Sequence, residues 1–255
     1  MLVGSVPSAL PALGTLGYLL LAGREHGRRG WPVGRAIAFV TGALLAGLAL
    51  SPGFDAYADD DFGGHMAQHL LLAMVAPLAL VLGAPVTLLL RSLPHRHGRR
   101  LGRLLRTRGV HVLANPVVAL LLSSGGLVAL YVTPLYGLSA RDETVHALVH
   151  VHLLLSGALF AWVVAGPDPA PRRAGVRTRL VVLGIAVAVH ASVAQLMYAG
   201  LFVRVDAPAA ELRAAGSLMY FGGDIAELLL ALALLRSWRP RPVRGSRRAG
   251  PATAR

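Results

Sequence analysis

Seven predominantly apolar stretches, near 2–22, 34–51, 65–90, 111–133, 145–165, 180–203 and 217–235, follow one another with connections too short to hold a second domain. An α-helix needs about 20 such residues to cross the hydrocarbon core of a bilayer. Inside lipid every backbone N–H and C=O must be paired within the segment, so a helix is the natural form for each stretch. The pattern predicts an all-α, polytopic membrane protein, a bundle of about seven transmembrane helices in residues 1–235. Only 15% of the residues are charged, against roughly 25% in an ordinary soluble domain.

The formal net charge of +13 could indicate a nucleic-acid binder, but the placement of the charge argues otherwise. All 25 basic residues are Arg, and 22 of them fall in the segments 23–33, 91–110 and 166–179, in the tail 236–255, or at Arg35. The alternate connections hold only Arg141, Arg204 and Arg213, together with Asp55, Asp59, Asp60, Asp61, Asp142, Glu143, Asp206 and Glu211. By the positive-inside rule the N-terminus is expected outside and the C-terminus in the cytoplasm. Nucleic acid is not an expected partner; membrane lipids are. Residues 236–255, rich in Arg, Pro, Gly and Ala, are expected to form a disordered basic tail drawn to anionic headgroups. The first stretch is followed rather than preceded by Arg24, Arg28 and Arg29, so it reads as a retained span and not a cleavable signal.

With no cysteine, any site for a soft metal must use His and Met. Of the ten histidines, His26, His95, His97 and His111 lie toward the Arg-rich side, where a solvated role is the default. The other six, His65, His69, His146, His150, His152 and His190, lie at or below the Arg-poor surface on the third, fifth and sixth spans. His65 and His69 are four residues apart and share a helix face, as do His146 and His150, and such a pair can bind one transition metal. The Glu between them that a zinc protease needs is absent, so hydrolytic zinc chemistry is not supported. His152 points about 200° away from His150, toward a second site, an outer-shell hydrogen bond or packing.

His190 lies mid-span, where a polar side chain is costly and usually faces the bundle interior. Met197 is two turns along the same face, and imidazole with thioether suits Cu(I), although Met is also common packing filler. In the last span Asp224 and Glu227 are intramembrane carboxylates, open to roles as proton relay, metal ligand, histidine partner or helix-to-helix hydrogen bond. Asp224 is placed first because Gly222 and Gly223 would let a neighbour come close. The candidate metal residues are therefore His65, His69, His146, His150, His152, His190, Met197 and Asp224, with no catalytic residue.

These residues bring a family resemblance with them. The run His65-Met-Ala-Gln-His69, then Pro77, Leu82-Gly83-Ala84-Pro85 and Arg91, resembles the CtaG-type cytochrome c oxidase assembly factors. So do His150-Val-His152, Ser156-Gly157, Phe160-Ala-Trp162, Gly166-Pro-Asp168-Pro169-Ala-Pro171-Arg172, and His190 with Met197. The resemblance covers about residues 35 to 235. The family's recurrent histidines correspond to His65, His69, His150, His152 and His190; His146 is added from spacing alone. The last span, Tyr220-Phe-Gly-Gly-Asp224-Ile-Ala-Glu227, departs from the family's ending. A single-span assembly factor with a cysteine pair has shared the family's name, and the lack of cysteine and the seven spans exclude it.

The resemblance implies a non-enzymatic role in maturing haem–copper oxidase, with copper helped toward the enzyme's buried centre on the extracytoplasmic side of a bacterial cell membrane. A cytochrome c oxidase subunit is then the expected partner. Two other classes stay open: a haem protein or quinone-linked electron carrier with two histidines as axial ligands, and a transporter coupled to protons through Asp224 and Glu227.

Overall fold

Apolar periodicity and proline placement divide the chain into helices and nothing else: in the computed structural model, which describes residues 6–238, every regular element is helical. In order these are α1 (Val6–Arg29), α2 (Val33–Ala49), α3 (Pro52–Asp60), α4 (Phe62–Leu70), a π-helical turn (Leu71–Val75), α5 (Ala76–Leu82), α6 (Pro85–Ser92), α7 (His95–Leu104), α8 (Arg108–Leu113), α9 (Pro116–Val132), α10 (Leu135–Ser139), α11 (Glu143–Val164), α12 (Val176–Ala199) and α13 (Ala209–Arg236). Four stretches are long and apolar enough to cross a membrane: Phe62–Ser92, Glu143–Val164, Val176–Ala199 and Ala209–Arg236. A fifth is added if α2 and the start of α3, bent by 58° from one another, count as one broken span. α1 carries Arg24, Glu25, His26, Arg28 and Arg29 in its own last turns, and α9 ends after 17 residues. The basic tail expected from 236 onward lies, from Arg239, outside the described residues.

Several boundaries differ from the sequence expectation, each for a local reason. Residues 52–60 and 95–104, expected as connections, form α3 and α7. The sixth span stops at Ala199 rather than 203 because Gly200 takes a left-handed conformation, φ 66°, the usual helix-ending geometry for glycine. The fourth span is divided just before Pro116, and Asn115 caps the new helix by accepting from the Val117 N–H at 2.9 Å.

The third span is interrupted twice. Pro77 has no N–H to offer the carbonyl of Ala73. The helix widens ahead of it into the π turn, where the Ala76 N–H reaches back to the Leu71 carbonyl. At Ala84, buried and left-handed with φ 53°, the chain breaks outright, since the residue before a proline is disfavoured in the right-handed helical region. The break is held from both sides. The Tyr18 hydroxyl donates to the Gly83 carbonyl at 2.7 Å. The buried carboxylate of Asp168 accepts from the Val86 N–H at 3.1 Å, the Thr87 N–H at 2.7 Å and the Thr87 hydroxyl at 2.6 Å. The Arg173 guanidinium in turn donates to the Gly166 and Asp168 carbonyls. The Gly166–Arg172 run thus clamps the Arg-rich end of the bundle.

Without a hydrophobic force between helices in lipid, close approach depends on small residues. A side chain at Gly42 would meet the backbone of Leu80 and Ala76, and one at Gly157 would meet the Ala73 carbonyl, so α2 and α11 both press on the π turn and α5. The outward faces remain apolar: Leu148, Leu155, Val181, Ile225 and Leu228 are each more than 60% exposed. That is the surface a bilayer covers, and the chain is a membrane protein.

Candidate metal-binding site

Two carboxylate caps start the helices that carry the paired histidines. Asp61 accepts from the Gly64 N–H at 2.8 Å and begins α4, which carries His65 and His69. Asp142 accepts from the Thr144 and Val145 N–H groups at 2.8 and 3.0 Å and begins α11, which carries His146 and His150. Phe62 and Glu211, joined by a backbone N–H to carboxylate hydrogen bond at 3.3 Å, place the start of α13 at the same end. His65, His69, His150 and His190 are all buried, and His146 is half-buried.

Among the described residues, one group of three has metal-binding atoms that converge: Asp55, His146 and His150, all within 4.8 Å of one another. Adjacent donors around a tetrahedral ion with bonds of 2.0–2.1 Å stand about 3.3 Å apart, so modest side-chain rotation closes the set on one ion. The imidazoles of His146 and His150 are 4.2 Å apart, centroid to centroid. Asp55 comes from α3, which is bent by 58° from α2 and brings an acidic side chain to the histidines of α11. Its Oδ1 accepts from the Gln68 amide at 2.5 Å, and the same amide donates to the Ala49 carbonyl at 2.7 Å. Gln68 thus holds the Asp55 carboxylate in place from α4.

His65 and His69 face a different neighbour. His65 shares a hydrogen bond with the Tyr131 hydroxyl at 3.2 Å, lies parallel to Phe62 and meets the edges of Tyr131 and Tyr136. His69 packs against Tyr131 with ring centroids 5.7 Å apart, while its Nδ1 has no hydrogen-bond partner. The pair shares one helix face and flanks a tyrosine.

At the inner end, His190 Nδ1 is 3.9 Å from Glu227 Oε1, both side chains being buried. A side chain at Gly223 would collide with the His190 ring, so glycine at this point is what admits the imidazole between α12 and α13. His69, His190 and Glu227 line one cavity of about 60 Å³ with Ser123, Ser124 and Ser156.

The remaining expected residues lie elsewhere. His152 turns to α9, where its Nε2 meets the Leu122 carbonyl at 3.1 Å over Gly126. Met197 is fully buried in an apolar cluster with Met66, Tyr131 and Met219. Asp224 is half-buried and is not part of the cavity lining shared by His190 and Glu227. Asp55, Gln68 and Tyr131 are not in the expected metal set, and of the two intramembrane carboxylates it is Glu227 that stands beside His190. Asp55 could have been found only by foreseeing α3, since it sits in an acidic run with Asp59, Asp60 and Asp61.

A family model described as cytochrome c oxidase caa3 assembly factor matches residues 16–241. Uncharacterized proteins of Mycobacterium bovis and Mycobacterium tuberculosis are each 37% identical over 193 residues, covering 70% of this chain and 29% of theirs. An uncharacterized protein of Mycobacterium leprae is 36% identical over 186 residues, covering 69% and 28%. The chain spans less than a third of the length of these curated relatives. No solved structure matches it.

Proposed function

The chain belongs to the cytochrome c oxidase caa3 assembly factor family, and on that premise we propose that it serves oxidase assembly by handling copper at the Asp55–His146–His150 site. Copper is here a cargo. The observation that carries the reading is the convergence of those three side chains within 4.8 Å, at the end of the bundle where the connections are poor in arginine. Two imidazoles and a carboxylate, with no thiolate or thioether among them, suit Cu(II) better than Cu(I).

In this reading the protein is a multi-pass component of a bacterial plasma membrane, with α1, α2 and α9 completing seven spans. The N-terminus and the metal site face outward, and the Arg-rich end faces the cytoplasm. A subunit of the oxidase is the partner, and the protein performs no catalysis of its own. A haem role would require two imidazoles across a wide slot, yet the cavity that two buried histidines share is about 60 Å³, against roughly 300 Å³ or more for pockets that take organic ligands.

The test is oxidase maturation in cells carrying Asp55→Asn, His146→Ala or His150→Ala. Copper content and activity of the purified oxidase should fall in each, with partial recovery when copper is added to the medium. Stable variants that still yield fully copper-loaded oxidase would remove copper handling from this site.

A further inference from the structure

We propose that the cavity bounded by His69, His190 and Glu227 is a second cation station, separate from the Asp55–His146–His150 site and deeper in the bundle. Three donor atoms at this cavity lack any partner: His69 Nδ1, His190 Nε2 and Glu227 Oε2. The three residues are more than nine-tenths buried, at 3%, 6% and 6% exposure. Buried polar atoms left unpaired bear their whole desolvation penalty, and three of them at one small cavity mark a place built around an occupant.

The lining narrows the chemistry of that occupant. Most of the wall is apolar, from Leu78, Leu127, Phe160 and Leu230 among others, while Ser123, Ser124 and Ser156 add hydroxyls. A carboxylate with two imidazoles favours a cation, and imidazole selects transition metals over magnesium or calcium.

These donors are more widely spaced than those of the outer site, which alone among the described residues gather within 4.8 Å. The ion is therefore held partly through water. A cavity of about 60 Å³ has the room, given that one water needs roughly 10–15 Å³. His150 serves the outer site and His69 the inner one.

The experiment uses the purified full chain in detergent, titrated with cobaltous chloride, whose d–d absorption reports coordination while bound metal is counted by elemental analysis. Wild type should bind two equivalents. The double variant Asp55→Asn/His146→Ala should keep one, and Glu227→Gln, which preserves shape, should lose one and retain the outer. His95→Ala/His97→Ala should still bind two. A single equivalent in wild type, or two in Glu227→Gln, overturns the second station. Should Glu227→Gln fail to fold, the wild-type count decides alone. Two equivalents retained by Asp55→Asn/His146→Ala would count against the outer site only, and oxidase maturation enters neither count.

Discussion

Replacing Gly223 by alanine tests the inner arrangement without touching a donor atom. The added methyl group would collide with the His190 ring, which has α13 on the side where the carbon must go. The ring must leave its position beside Glu227, or α12 and α13 must part. Overpacking of this kind costs about 1–3 kcal/mol, offset by about 1 kcal/mol from alanine's better helix propensity. The net loss is up to about 2 kcal/mol, which for a chain of this size lowers the melting temperature by up to about 8 °C. Gly222→Ala is the control on the same helix, because its methyl would meet mainly the flexible end of the Leu70 side chain. Thermal unfolding in detergent and cobalt stoichiometry should be measured on both. Gly223→Ala should melt below Gly222→Ala and lose the inner equivalent while keeping the outer one. Equal melting temperatures and equal stoichiometry would refute the placement of His190 over Gly223.

Asp168→Ala should destabilise the protein by about 2–4 kcal/mol, since a buried cap and three hydrogen bonds at the α5–α6 break are lost together; a melting temperature within 2 °C of wild type would contradict the clamp. Gln68→Met should weaken metal binding at the outer site by about 10- to 100-fold through Asp55, with oxidase maturation falling in parallel; a titration matching wild type would deny Gln68 its positioning role. Tyr131→Phe removes the hydroxyl that meets His65 and should cost about 1 kcal/mol, read as a lower denaturant or thermal midpoint with both metal equivalents kept. Reporter fusions after Arg100 and Arg173 should behave as cytoplasmic, and those near Glu143 and Asp206 as external; reversal of these pairs would invert the proposed topology.

What the sequence reveals about this molecule follows the reach of local rules. Helix periodicity places His65 with His69 and His146 with His150, because four residues is little more than one turn wherever the helix is packed. The same rule cannot say what stands opposite. One pair meets Asp55 from α3, and the other flanks Tyr131 from α9. α3 was illegible because Pro52-Gly53 and the aspartates read as a connection, whereas Ser51 accepts from the Phe54 N–H, caps the helix and lets it form. Pro77 and Pro85 announced a disturbed third span. The division of labour between them, a π turn at one and a left-handed break at the other, depends on what packs alongside, namely Gly157 and Asp168. The preference for Asp224 over Glu227 was a matter of register: both lie on α13, but Glu227 is the one turned into the cavity.

Each histidine group receives its carboxylate from an element that carries none of those histidines, Asp55 from α3 and Glu227 from α13. That arrangement makes each site dependent on tertiary packing, so neither can form on an isolated helix. It also sets a gradient. The outer set includes two half-buried groups, Asp55 and His146, which water can reach. The inner set is buried throughout, where a charge is held only by compensation within the protein. A cation moving from the first to the second loses solvent and must find negative charge at its destination. Glu227 is the only carboxylate on the described cavity wall that meets it there. Neutralising Glu227 should therefore stop transfer at the outer site rather than abolish capture.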